Sequence, residues 1–217
     1  MVPTTRRTYA LLLGTAAGPD EKLASEIALL QALDAVHEIH VWVSRQGVEA
    51  IRALVSTNSW EKVAAVSPAR ATRDATIFDT LTAIKSSARD EDLILIADAE
   101  HRSLTEVTVS SCTSVAAEQG AAILTSPVAG EVIHTGDSGR IGGLPREGRT
   151  FLAAGLLVTQ FRRMFDLYDW ASSVAIGSVE SPYRWSLSQL QAVVLVLNDG
   201  GGVALASEVM GESSKER

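Results

Sequence analysis

Short apolar runs alternate along the chain with longer stretches whose apolar residues recur at helical spacing. Tyr9–Leu13 predicts a buried strand. Leu23–Ala35 follows, with Leu23, Ile27, Leu30 and Leu33 spaced as one face of a helix. His40–Ser44 lies in a second β-like run, in which Ile39, Val41 and Val43 share a face. Val48–Val55 predicts a helix and Lys62–Val66 a third strand. Pro68 disfavours the helical region for Ser67, so a loop is expected at that pair. Asp74–Lys85 predicts a helix with Ile77, Leu81 and Ile84 on one side, and Leu93–Ile96 the clearest buried strand. Leu104–Gln119 predicts a helix stopped by Gly120, followed by a strand over Ala121–Thr125 that turns at Pro127.

The pattern then changes. Gly136, Gly139, Gly142, Gly143 and Gly148 crowd a short span, and Asp137-Ser138-Gly139 predicts a turn between two short strands. Residues 131–149 are therefore expected to form a projecting β-arm. Phe151–Trp170 predicts a largely helical segment, and Val174–Ile176 and Tyr183–Trp185 two short strands. Ser186 or Ser188 is expected to cap a last helix running to about Leu197, which Asp199–Gly202 ends. Residues 207–217 are polar and expected to be disordered. Strands alternating with crossover helices predict a Rossmann-like α/β fold over residues 1–206, with a mostly parallel sheet and helices on both faces. In such sheets ligands lie beyond the carboxyl ends of the strands. The loops after Leu13, Val66, Ile96 and Thr125 are the places to seek chemistry.

Charge narrows the partners. The net charge is -7 and no long basic run occurs, so neither nucleic acid nor an anionic membrane surface is an expected partner. A nucleotide-sized anion is still compatible, because backbone dipoles and a few arginines suffice to hold one. The single cysteine, Cys112, leaves no disulfide within the chain and suits a reducing cytoplasm. No segment is apolar enough to span a bilayer. Arg6-Arg7 ahead of Tyr9–Leu13 fits a short basic leader entering the first strand better than a twin-arginine export signal, since the apolar stretch is short.

Several segments share their order and spacing with a known family. Ala71-Thr72-Arg73-Asp74-Ala75-Thr76-Ile77 stands where that family has Thr-Arg-Gln-Asp-Ser-Val after a Gly-Gly pair. The turn Ala88–Asp92 leads into Leu93–Ile96, and Ala97-Asp98-Ala99-Glu100-His101-Arg102 occupies the place of His-Asp-Ala-Ala-Arg-Pro. Gly120–Leu124, Pro127-Val128, Asp137–Ile141 and Leu144-Pro145-Arg146 follow in the family's order. In these features the chain resembles the 2-C-methyl-D-erythritol 4-phosphate cytidylyltransferases of isoprenoid synthesis. The resemblance implies a nucleotidyltransferase fold, a homodimer joined through the arm, and CTP or another nucleotide as ligand. It also implies magnesium as the cofactor of any active form. In that family a sugar-alcohol phosphate attacks the α-phosphorus of CTP and pyrophosphate leaves, with metal and cationic side chains neutralising charge.

The same alignment implies site residues and exposes losses. Ala16, Gly18 and Lys22 stand in the triphosphate loop, but its second glycine and arginine are absent, and Asp20 and Glu21 are present. An exposed first helical turn is the better account of Lys22. Arg73 and Thr76 stand at nucleotide-contacting positions, while Ala69 and Arg70 replace the paired glycines that would admit the base. Asp98 stands at the magnesium-binding aspartate. Glu100 and His101 beside it suit a solvated loop better than a second metal site. On the substrate side Gly130-Glu131 replaces Asp-Thr, the second metal carboxylate has no counterpart, and Arg184 replaces a lysine. Gln-Thr-Pro-Gln falls among the apolar residues Gly155–Val158 or, in a register anchored on Phe161-Arg162, keeps only its last glutamine as Gln160. Cys112 and the four tryptophans are expected to pack rather than to bind. Two functions follow. One is a non-catalytic descendant acting as a binding or partner subunit. The other is an active cytidylyltransferase that moves CMP from CTP to a sugar or polyol phosphate. The simultaneous loss of several charged ligands favours the first.

Overall fold

The computed structural model describes residues 6–14, 21–99, 104–127, 134–135, 141–143, 151–173, 190, 192–197 and 202–205. Among them β1 (Thr8–Leu13), β2 (Val36–Val43), β3 (Val63–Pro68), β4 (Leu93–Asp98) and β5 (Ala121–Pro127) alternate with α1 (Glu21–Ala32), α2 (Val48–Thr57), α3 (Arg73–Ile84) and α4 (Glu106–Gln119). Two short strands, β6 (His134–Thr135) and β7 (Ile141–Gly143), pair antiparallel as a separate small sheet within the expected arm. The chain continues through β8 (Phe151–Gln160), α5 (Phe161–Ser173), β9 (Val193–Leu197) and β10 (Val203–Leu205).

The main sheet has eight strands in the order β10-β9-β5-β8-β4-β1-β2-β3. It is mostly parallel: β8 runs against both β4 and β5, and β10 against β9. Alternation along β1 divides the core. Ala10 and Leu12 face α1, α2 and α4, against Leu23, Ile27, Ile51, Cys112 and Ala116. Tyr9 and Leu11 face α3 and α5, against Ile77, Leu81, Met164 and Phe165. Each fully buried Leu or Ile of these clusters contributes roughly 1.5–3 kcal/mol through burial. Burial also pushes the Cys112 thiol up to about 12, leaving it a small apolar packing group as expected from the sequence.

Three expectations are corrected. Residues 151–160 form a strand, and the helix begins only at Phe161. Phe151–Val158 carries no polar side chain, as suits a strand covered on both faces, and such a run has no period to separate it from a helix. Gly155 adopts a φ of +79, and the β5 register jumps there from Leu124↔Leu156 to Thr125↔Ala153, a bulge that glycine accommodates. The last helix does not reach Leu197, because Val193–Leu197 is a strand parallel to β5; the β-branched Val193, Val194 and Val196 favour it. Pro68 closes β3 rather than breaking it, which the edge position permits. The expected strands at Val174–Ile176 and Tyr183–Trp185, the caps at Ser186 and Ser188, the turn at residues 137–139 and the tail at 207–217 lie outside the described residues.

A buried clamp joins the amino ends of the strands. The Asp92 carboxylate accepts hydrogen bonds from Arg7 N (3.0 Å), Arg7 Nε (3.1 Å), Arg7 Nη2 (2.8 Å) and Arg89 N (2.9 Å). The Asp92 carbonyl accepts from Phe161 N at 2.7 Å, so the same residue receives the start of α5. Arg7 is thus an integral part of the fold.

His40 is buried on β2, with Glu38 Oε2 4.0 Å from its Nε2. Burial pushes its pKa below the ordinary 6.5, and the nearby Glu38 carboxylate only partly opposes this. The unfolded chain then binds a proton at a higher pH than the native protein does. Stability is therefore full above pH 6.5 and falls as the pH drops below that value towards the lowered native pKa. Urea titrations at pH 8 and pH 5 should show a smaller acid loss for His40→Asn than for the unsubstituted protein. Equal losses would remove His40 as the cause.

Candidate functional site

The chain passes from β1 outward through β2 to β3, then returns to place β4 on the other side of β1. That reversal opens a crevice at the carboxyl ends of β1 and β4, the usual ligand position in an open α/β sheet. Leu13 and Asp98 are register partners there. The Ala99 N–H donates to the Leu13 carbonyl at 3.0 Å, and the Gly14 N–H to the Trp42 carbonyl at 2.8 Å. A cavity of about 280 Å³ occupies the crevice. The ends of β1 and β4, Trp42 of β2, and the segment Ala69–Arg73 with Thr76 line it.

The β3–α3 segment is held by its own polar groups. Thr72 has an extended backbone and caps α3, its hydroxyl oxygen accepting from Ala75 N at 3.1 Å. The Thr76 hydroxyl accepts from Arg70 N and donates to the Thr72 carbonyl, both at 3.0 Å. Trp42 Nε1 donates to the Thr80 hydroxyl at 2.9 Å, and that hydroxyl donates to the Thr76 carbonyl at 3.1 Å. The indole at the cavity wall is therefore fixed by α3. Arg70 pairs through Nε with Asp79 Oδ2, which turns its charge along α3.

The structure gathers three of the expected site residues, Arg73, Thr76 and Asp98, around this one cavity. It also pairs two of them: Arg73 Nη1 donates to Asp98 Oδ2. The expected nucleotide-binding cation and the expected metal ligand thus meet each other. Thr76 is buried, and its hydroxyl is engaged in shaping the loop. Lys22 lies in the first turn of α1, half-buried, and is not among the cavity-lining residues. Gln160 pairs with Leu93 at the start of β4, at the opposite end of the sheet from Asp98. Ala16, Gly18, Glu100, His101, Gly130, Glu131 and Arg184 lie outside the described residues.

Trp42 is the lining residue that sequence reasoning assigned to packing. The available signal was its position at the end of a strand next to β1, on the face opposite Val41 and Val43. That face is where a helix N-terminus and a ligand can share the sheet end.

The fold has known counterparts. A 4-diphosphocytidyl-2C-methyl-D-erythritol synthase from Anaerococcus prevotii superposes with a TM-score of 0.69, over 98% of this chain and 97% of that one. This is the cytidylyltransferase fold. The 2-C-methyl-D-erythritol 4-phosphate cytidylyltransferase of Francisella tularensis matches with a TM-score of 0.62, over 97% of this chain and 100% of that one. The corresponding enzyme of Thermus thermophilus matches with a TM-score of 0.56, over 95% of this chain and 98% of that one. Identities to the three are 11%, 11% and 16%, so the likeness is one of fold. No family model matches the sequence, and no curated protein matches it.

Magnesium, which the resemblance implies at Asp98, can be tested against the residues around the crevice. Asp98 is the sole carboxylate among the described lining residues, and one of its two oxygens, Oδ2, is taken by the Arg73 guanidinium. Among the described residues no group of three or more His, Cys, Asp or Glu side chains could hold a metal ion. The described residues of the crevice therefore do not fit a magnesium site. Likewise, no described helix is long and apolar enough to cross a membrane.

Proposed function

We propose that the chain is a non-catalytic protein of the cytidylyltransferase fold, a binding or partner subunit that keeps the cavity but does not transfer a nucleotidyl group. The observation that carries this reading is the Arg73–Asp98 ion pair at the switch point. Phosphoryl transfer depends on cations placed against the phosphates, and here one retained cation and the retained carboxylate neutralise each other. The sequence adds to this, with Pro19-Asp20-Glu21 in the triphosphate loop and no counterpart of the second metal carboxylate.

The retained cavity, with its fixed indole and capped loop, supports binding of CTP or another nucleotide. A ligand that binds only the native state raises stability by mass action. Thermal unfolding with CTP, and with UTP and ATP as comparators, should give a CTP-dependent rise that Trp42→Ala abolishes. A rise unaffected by Trp42→Ala would place the binding elsewhere.

One observation favours the second reading, an active cytidylyltransferase acting on a sugar or polyol phosphate. Arg73 and Thr76 of α3 and Asp98 at the end of β4, 25 positions beyond Arg73, converge on a single cavity. Activity would require the ion pair to open when substrate arrives. The paired strands β6 and β7 support a homodimer formed through the arm. Light scattering of the intact chain against a variant with residues 131–149 replaced by a short linker tests that assembly: a dimer that persists without the arm would sink it.

A further inference from the structure

Arg73 and Asp98 come from different elements. Asp98 ends β4, and Arg73 opens α3 directly after its Thr72 cap. Their side chains are 29% and 12% exposed, so the contact is partly withdrawn from water yet borders the cavity. A planar guanidinium matches a carboxylate in shape and charge. A magnesium ion at the same carboxylate demands near-octahedral oxygen ligands and retains several waters. It would also sit beside a fixed positive charge, with one carboxylate among the described lining residues to compensate both. The hydroxyls of Thr72 and Thr76, the other side-chain oxygens among the described lining residues, are engaged within the loop.

From this geometry we infer that the Arg73 guanidinium is the resident cation of the cavity, filling at Asp98 the place of a divalent metal and keeping one out. Arg73 is then a specificity-determining residue. Its charge makes the site metal-independent, and its removal uncovers a carboxylate able to recruit a divalent ion. The inference concerns the cavity assigned in the proposed function, but it depends on metal contact rather than on turnover. Nucleotidyl transfer without metal contact at Asp98 would overturn the proposed function and leave this inference standing.

Manganese(II) is the probe, because its unpaired electrons broaden the amide signals of nearby residues even when binding is weak. In the unsubstituted protein, signals of Arg73, Asp98 and Ala99 should persist under manganese(II) like those of distant residues. In Arg73→Gln these signals should be lost selectively, and in Arg73→Gln/Asp98→Asn they should return. Arg73→Lys, which keeps the charge, should behave as the unsubstituted protein. Selective loss in the unsubstituted protein that Asp98→Asn removes would overturn the inference, as would a folded Arg73→Gln variant that gains no manganese contact. The comparison of the unsubstituted protein with Asp98→Asn decides the matter even if the Arg73 variants fail to fold.

Discussion

Replacing Asp92 by alanine is expected to cost about 3–5 kcal/mol of folding stability, the range for breaking a buried ion pair from one side. The Asp92 side chain is 1% exposed, and its removal strips acceptors from the Arg7 side chain and from the N–H groups of Arg7 and Arg89. In a domain of this size such a loss lowers Tm by roughly 6–20 °C. Acid should act in the same direction. Burial alone would raise the Asp92 pKa, but the N–H groups of Arg7 and Arg89 and the Arg7 guanidinium together hold it below the ordinary 3.8. With a depressed native pKa, the contribution is complete above pH 3.8 and is lost as the pH falls through the native value. Urea denaturation of Asp92→Ala and Asp92→Asn at neutral pH measures the effect. A loss under about 1 kcal/mol would mean that the clamp behaves as a solvated surface pair.

The second large effect is expected at Leu81. This residue is fully buried where α3 meets the sheet, in the cluster that holds Tyr9, Leu11, Ile77 and Ile94. Leu81→Ala should cost about 2–5 kcal/mol, the sum of lost transfer energy and the cavity left behind. The consequence extends to the crevice, because α3 carries Thr72, Arg73 and Thr76 and anchors the Trp42 indole through Thr80. Amide hydrogen exchange at Arg73–Thr76 should quicken in the variant beyond the change seen in α4. Exchange that quickens equally in α3 and α4 would show that the docking of α3 is not what fixes the loop.

Much of the fold is legible in the sequence because its signals are local. The β1–α4 alternation follows from period-two and helical spacing, and Gly120, with a φ of +94, ends α4 where a left-handed residue is needed. What escapes is whatever depends on distant partners. β8 lies between β4 and β5 and is covered on both faces, so its sequence carries no polar side to reveal a strand. The Arg7–Asp92 clamp joins residues 85 positions apart, which no periodicity records. The site shows the same division. Arg73, Thr76 and Asp98 were visible as residues standing at family positions. Their convergence was implied by strand ends, but the pairing of Arg73 with Asp98 was not, because side-chain direction is settled only when α3 and β4 are in place.

That pairing makes catalysis the decisive question. The most direct measurement is pyrophosphate release from CTP with magnesium and a panel of sugar and polyol phosphates, run in parallel on the intact chain and on Asp98→Asn. A non-catalytic protein of this fold should release pyrophosphate no faster than the buffer, with the two proteins indistinguishable. Sustained release by the intact chain that Asp98→Asn abolishes would contradict it.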